Sequence, residues 1–121
     1  MFRILYVEDH ADTRDAICRL LTRAGYNVDA AANGREALDC AFAHRPDVLL
    51  LDMALPKMTG VELVRILRSY LRLSDIPIVV LSAFSDGPLI QGARAFHASA
   101  ILLKSQSSFD QVLDAVREAI A

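Results

Sequence analysis

The sequence predicts an α/β domain built on a doubly wound, five-stranded parallel sheet. Short apolar runs, partly β-branched, alternate five times with stretches of helical spacing, which is the order of a parallel-sheet domain. The run Asp47-Val48-Leu49-Leu50-Leu51 is apolar on both faces, as the centre of a sheet covered by helices must be. The 121 residues are 54% apolar and 23% charged, enough for one real core, so residues 1–121 are read as a single domain.

The elements follow in order. Arg3-Ile4-Leu5-Tyr6-Val7 is the first strand, closed by the charges of Glu8 and Asp9. Residues 12–24 have helical spacing, with Ala16, Ile17, Leu20, Leu21 and Ala24 on one face and Asp12 as N-cap. Gly25 ends that helix, because glycine takes the left-handed C-terminal position without strain. Asn27 to Ala31 is a weaker strand, Asn33-Gly34 a turn signal, and residues 35–44 an alanine-rich helix. After the central strand, Asp52 to Gly60 is a loop, and residues 61–72 resume the helical pattern through Val61, Val64, Ile66 and Leu67. Pro77 precedes the strand Ile78 to Leu81, and Asp86-Gly87-Pro88 opens a helix to about Phe96. Ala100 to Leu103 is the last strand. Ser108 and Gln111 then have capping-box spacing at the start of the last helix, whose buried face is Phe109, Val112, Val116 and Ala119/Ile120.

Composition narrows the function. Thirteen basic against fifteen acidic residues leave −2, which argues against direct nucleic-acid binding and against a polybasic membrane binder. No apolar run approaches the ~18 residues of a membrane span, and the run from Phe2 to Val7 is too short for a signal peptide. Two cysteines, Cys18 and Cys40, make neither a disulfide framework nor a zinc site and read as small hydrophobes on helices. The expectation is a soluble, cytoplasmic protein without repeats or linkers.

In open sheets of this kind ligands bind beyond the carboxyl ends of the strands. Glu8 and Asp9 follow the first strand, Asp52 the third, Ser82 the fourth and Lys104 the fifth. A single aspartate at a strand end is usually a turn former or helix cap, but four strand ends carrying this set together are not explained that way. Crowded carboxylates repel one another unless a cation neutralises them. Oxygen donors with few protein ligands suit Mg²⁺. An aspartate beside Mg²⁺ and a lysine is equipped as a nucleophile toward a phosphoryl group, with the metal and ammonium offsetting charge on the transferring oxygens.

The chain resembles the receiver domain of bacterial two-component response regulators. The residues that carry the likeness are Glu8-Asp9, the stretch Asp52-Met53-Ala54-Leu55-Pro56-Lys57-Met58-Thr59-Gly60, which is similar to the family's D-x-x-[ML]-P-x-M-x-G, then Ser82-Ala83 and Lys104. The resemblance runs the length of the chain. It implies a flavodoxin-like (βα)5 fold with strand order 2-1-3-4-5. It also implies that Asp52 is the phosphoacceptor and that Asp9, Glu8 (mainly through water), Asp52 and the Ala54 carbonyl hold Mg²⁺. Ser82 would bond the phosphoryl group and Lys104 would pair with it. The donor would be a phosphohistidine on a sensor histidine kinase or histidine phosphotransfer protein. Such a domain catalyses its own phosphorylation and dephosphorylation without being a conventional turnover enzyme. Switching would act on the helix–strand–helix face formed by Leu89–Arg94, Ile101–Leu103 and the last helix, with output through an effector protein or a domain absent from this sequence. The chain itself is expected to be a monomer or weak dimer.

The sequence departs from the family pattern in three places. Ile101 stands where an aromatic usually changes rotamer on activation, and a β-branched aliphatic has no polar-tipped ring to swing. Ser105 stands where a proline, commonly cis, follows the lysine; a cis bond there would cost ~2.5–4 kcal/mol, so a trans bond with a reshaped loop is the other possibility. His97-Ala98 replaces a Gly-Ala pair. Gly92 weakens the helix that contains it by ~1 kcal/mol. By the resemblance, Phe84 and Ala54 occupy the two positions that in the family tune water access to an acyl phosphate, and Met53 and Met58 read as packing.

These departures keep a second function open, that of a degenerate receiver acting as an unphosphorylated protein-interaction module. Other classes fit worse. A flavin-binding protein needs a Ser/Thr/Gly-rich phosphate loop where this chain has Glu8-Asp9-His10-Ala11-Asp12, and an aspartate phosphatase needs a second acid at Ala54.

Overall fold

The structure is a computed structural model that describes residues 1–52, 60–82, 98–103 and 107–121. Five parallel strands form one sheet: β1 (Arg3–Val7), β2 (Asn27–Ala31), β3 (Val48–Asp52), β4 (Ile78–Ser82) and β5 (Ala100–Leu103), in the order β2-β1-β3-β4-β5. Among the described residues, the helices are α1 (Ala11–Arg23), α2 (Gly34–Ala43), α3 (Gly60–Arg68) and a C-terminal helix (Phe109–Ile120), with a 3₁₀ turn at Leu71–Leu73. The expected doubly wound parallel sheet and its strand order are both present.

Strand side chains alternate between faces, and here the alternation builds two cores. Leu5, Val7, Leu49, Leu51, Ile78 and Val80 pack with α2 and α3. Ile4, Tyr6, Val48, Leu50, Val79 and Leu81 pack with α1 and the C-terminal helix. β3 and β4 are buried along their whole length, whereas the edge strand β5 is half-buried throughout.

Several local features follow the sequence reading. Gly25 has φ +100° and closes α1, with the Tyr26 N–H bonded to the Leu21 carbonyl. Ser108 Oγ accepts from the Gln111 N–H at 3.2 Å while Gln111 Oε1 accepts from the Ser108 N–H at 2.7 Å, a complete capping box.

Others differ. The N-cap of α1 is His10, not Asp12: His10 is extended and its Nδ1 accepts from the Thr13 N–H at 3.2 Å. Asp12 sits instead in the first turn, where its charge favours the helix N-terminus. Ala16 and Ala24 are exposed, and the buried stripe of α1 centres on Leu21 with Ile17 and Cys18. Asn33 is a helix cap rather than a free turn, its Oδ1 accepting from the Glu36 N–H at 3.0 Å. α3 ends at Arg68 instead of running on to 72, and its buried face includes Leu63, which the sequence reading omitted. Arg68 Nη1 donates to the carbonyls of Ser74 and Ile76 at 2.7 and 2.8 Å, which folds the chain back toward β4.

The helix expected from Pro88 to about Phe96, with Phe84, Leu89–Arg94, Gly92 and His97, lies outside the described residues. So do Met53, Ala54, Met58, Lys104 and Ser105.

Candidate functional site

Register sets the site. Val7 pairs with Leu51 across β1 and β3, so Glu8, one residue beyond, comes level with Asp52. Both side chains have the parity of Tyr6 and Leu50 and leave the sheet edge on the α1 side. Asp52 pairs with Leu81 and Ser82 with Leu103, which steps the edge onward to β5 and to the point where Lys104 follows in sequence. Asp52 and Ser82 are the last residues of their strands, not the first of loops as the sequence reading had them. Ladder bonding therefore holds their backbones.

The three acids converge. One carboxylate oxygen from each of Glu8, Asp9 and Asp52 lies within 4.8 Å of the others. Glu8 and Asp52 are buried, at 1% and 5% exposure, while Asp9 is exposed and leaves the group open to solvent. Ser82, also buried, stands at the neighbouring strand end. Oxygens on one Mg²⁺ at ~2.1 Å lie at most ~4.2 Å apart. Small side-chain rotations, or one retained water, thus span the difference. An all-oxygen set with an open side fits a hard divalent cation that keeps several waters.

Glu8 is held from several directions. Its backbone N–H extends the β1–β2 ladder to the Ala31 carbonyl at 3.0 Å. Its carboxylate accepts from the His10 N–H at 3.3 Å and the Tyr6 hydroxyl at 3.5 Å, and its carbonyl accepts from Arg14 Nη1 at 3.0 Å. Burial, and after it the Glu8 charge, pushes the Tyr6 phenol well above its usual range, so the ring enters the site as a neutral donor. Sequence reading missed Tyr6, Arg14 and His10 as neighbours of the acids. The parity of Tyr6 with Glu8, two residues apart on one strand, is the signal that could have found the first. Ala54 and Lys104, the remaining expected members, lie outside the described residues.

Fold and site together define a parallel α/β module with an acidic centre at one edge of its sheet, and comparison with known proteins shows its family. The structure is similar to the chemotaxis protein CheY4 of Vibrio cholerae, with a TM-score of 0.90 and 32% identity over 98% of both chains. It is similar to the signal receiver domain of a signal transduction histidine kinase from Syntrophus aciditrophicus, with a TM-score of 0.88 and 27% identity, covering 99% of this chain and 90% of the other. In sequence it is 44% identical over 81 residues to the response regulator MprA of Mycolicibacterium vanbaalenii, a match covering 67% of this chain and 34% of the relative. The chain thus spans about a third of the length of the curated relatives it matches. The family model for the response regulator receiver domain matches residues 4–117. The chain belongs to the response regulator receiver domain family, the signal-receiving module of two-component signalling. Among the described residues no helix is long and apolar enough to cross a membrane.

Proposed function

We propose that the chain accepts a phosphoryl group on Asp52 in a Mg²⁺-dependent reaction. The observation that carries this reading is the convergence of Glu8, Asp9 and Asp52 at one sheet edge, two of them buried, an arrangement that is unfavourable unless a cation is shared. Glu8, Asp9 and Asp52 would hold Mg²⁺, joined by the Ala54 carbonyl on the family pattern. The ion would neutralise the cluster and offset charge on the transferring oxygens.

An Asp52 carboxylate oxygen attacks phosphorus. The N–P bond of a phosphohistidine donor breaks, and its electron pair returns to the imidazole. Asp52 enters this step held at its strand end, so little reorganisation is required of it. The Ser82 hydroxyl, one strand over, would donate to the new phosphoryl oxygens, and Lys104, which follows the Ser82-paired Leu103 in sequence, would supply the compensating charge. The donor class is a sensor histidine kinase or a histidine phosphotransfer protein. Output passes from the last helix–strand–helix face to an effector, either a separate protein or a domain of a longer chain. Residues 1–121 act as one receiver unit, cytoplasmic, monomeric or weakly dimeric.

The test is intact mass after incubation with Mg²⁺ and acetyl phosphate, beside Asp52→Asn and a metal-free sample. A gain of one phosphoryl group in the wild type alone supports the reading. No gain, together with no Mg²⁺ binding, sinks it and leaves the unphosphorylated interaction module.

A further inference from the structure

We propose that Tyr6 is a positioning residue for the cation site, its hydroxyl holding the Glu8 carboxylate at the rim beside Asp9 and Asp52. The inference rests on the reading that these acids bind Mg²⁺, and adds to it a residue outside the family motif.

Tyr6 is fully buried on β1, with its ring in the core formed by α1 and the C-terminal helix. A buried phenol needs a partner for its O–H, and here the acceptor is Glu8 Oε1 at 3.5 Å. The other carboxylate oxygen takes the His10 N–H at 3.3 Å. The two donors thus face opposite oxygens of one group. A cavity of about 190 Å³ opens between α1, β4 and the C-terminal helix, walled by Ile17, Leu81, Phe109 and Val112, with Tyr6 and Glu8 on its border. A glutamate has three side-chain torsions, and some of its rotamers would carry the carboxylate away from Asp9 and Asp52. The phenol hydroxyl ties Glu8 to the strand and disfavours them. Partners that orient a ligating carboxylate in this way contribute on the order of 10- to 100-fold to metal affinity. The length of this bond puts the expected effect at the lower end.

Tyr6→Phe removes the hydroxyl and keeps the ring. Mg²⁺ is titrated calorimetrically into the wild type, Tyr6→Phe, Glu8→Gln and Ile4→Val; the last trims the same face of the same strand without touching a polar group. The expected result is a Mg²⁺ dissociation constant raised about 10-fold in Tyr6→Phe, with Ile4→Val at the wild-type value. Unchanged affinity in Tyr6→Phe while Glu8→Gln weakens binding overturns the role of Tyr6 and leaves the cation site standing. Equal weakening in Ile4→Val assigns the effect to packing and also overturns it. Absence of Mg²⁺ binding in the wild type overturns the cation reading, and the role of Tyr6 with it.

Discussion

Leu51 lies opposite Val7 in the parallel register of β3 and β1, and this one pairing brings Glu8 level with Asp52. A slip of one residue would send one of the two carboxylates to the other face of the sheet. The acidic cluster is thus a property of strand register before it is a property of loops.

Carboxylates this close repel one another when ionised, and a shared cation would relieve that repulsion. Asp52→Asn is therefore expected to stabilise the metal-free protein by ~1 kcal/mol. Mg²⁺ at ten times its dissociation constant should stabilise the wild type by ~1.4 kcal/mol, which is roughly 5 °C in melting temperature for a domain of this size. Thermal melts with and without Mg²⁺ measure both. A metal-free Asp52→Asn protein less stable than the wild type would contradict the account.

Leu50 is fully buried at the centre of the sheet, in the core shared with the C-terminal helix, whereas Leu71 is 95% exposed. Leu50→Ala is expected to cost ~3 kcal/mol and Leu71→Ala to stay within ~0.5 kcal/mol of the wild type. Urea denaturation of the pair distinguishes them, and similar costs at the two positions would refute the burial pattern.

The capping box of the C-terminal helix predicts a loss of ~1 kcal/mol for Ser108→Ala, because the Gln111 N–H loses its acceptor. Ser108→Asp should retain most of that stability, since a carboxylate can cap the same donor and favours the helix N-terminus. Chemical denaturation of both variants checks it; equal losses would mean that the cap is not what the serine contributes.

Burial pushes the thiols of Cys18 and Cys40 above their usual range, and neighbouring acids, Asp15 for the first and Asp29 for the second, push the same way. A raised thiol value means less thiolate at pH 8. Alkylation by iodoacetamide should then be slower in the folded protein than in urea, with its rate still rising beyond pH 9. The sign carries into stability. The neutral thiols favour the folded state below the ordinary thiol range, and that contribution is lost as pH rises through the raised values. Folded-state alkylation as fast as in urea would contradict this.

Much of this architecture is legible in the residues. The bounds of β1 and β5, the glycine stop after α1 and the Ser108–Gln111 cap follow from local chemistry alone, and the structure has them where that chemistry puts them. The differences arise where the local signal is weak or shared. Alanine is as content in water as in a core, so Ala16 and Ala24 widened the apparent face of α1 without being buried. Asp12 is a better cap by type than His10, but the chain leaves β1 at a point that makes His10 the last extended residue. The end of α3 depends on Arg68 reaching carbonyls six and eight residues away, a contact that no helical periodicity announces. At the site the acids are readable because their types are costly together. Tyr6 is not, because a tyrosine in an apolar strand looks like core until register and parity put its hydroxyl against Glu8.

The chain has three tyrosines and no tryptophan. Ultraviolet emission therefore comes from phenols alone, undrained by energy transfer to an indole. Of the three, Tyr26 is half-buried and Tyr70 largely exposed, while Tyr6 lies against a carboxylate that can take its proton in the excited state. Any event that redistributes charge around Glu8 changes how strongly that ring is quenched. The protein thus contains its own optical probe beside the acidic cluster, and a cation titration can be read from it without a label.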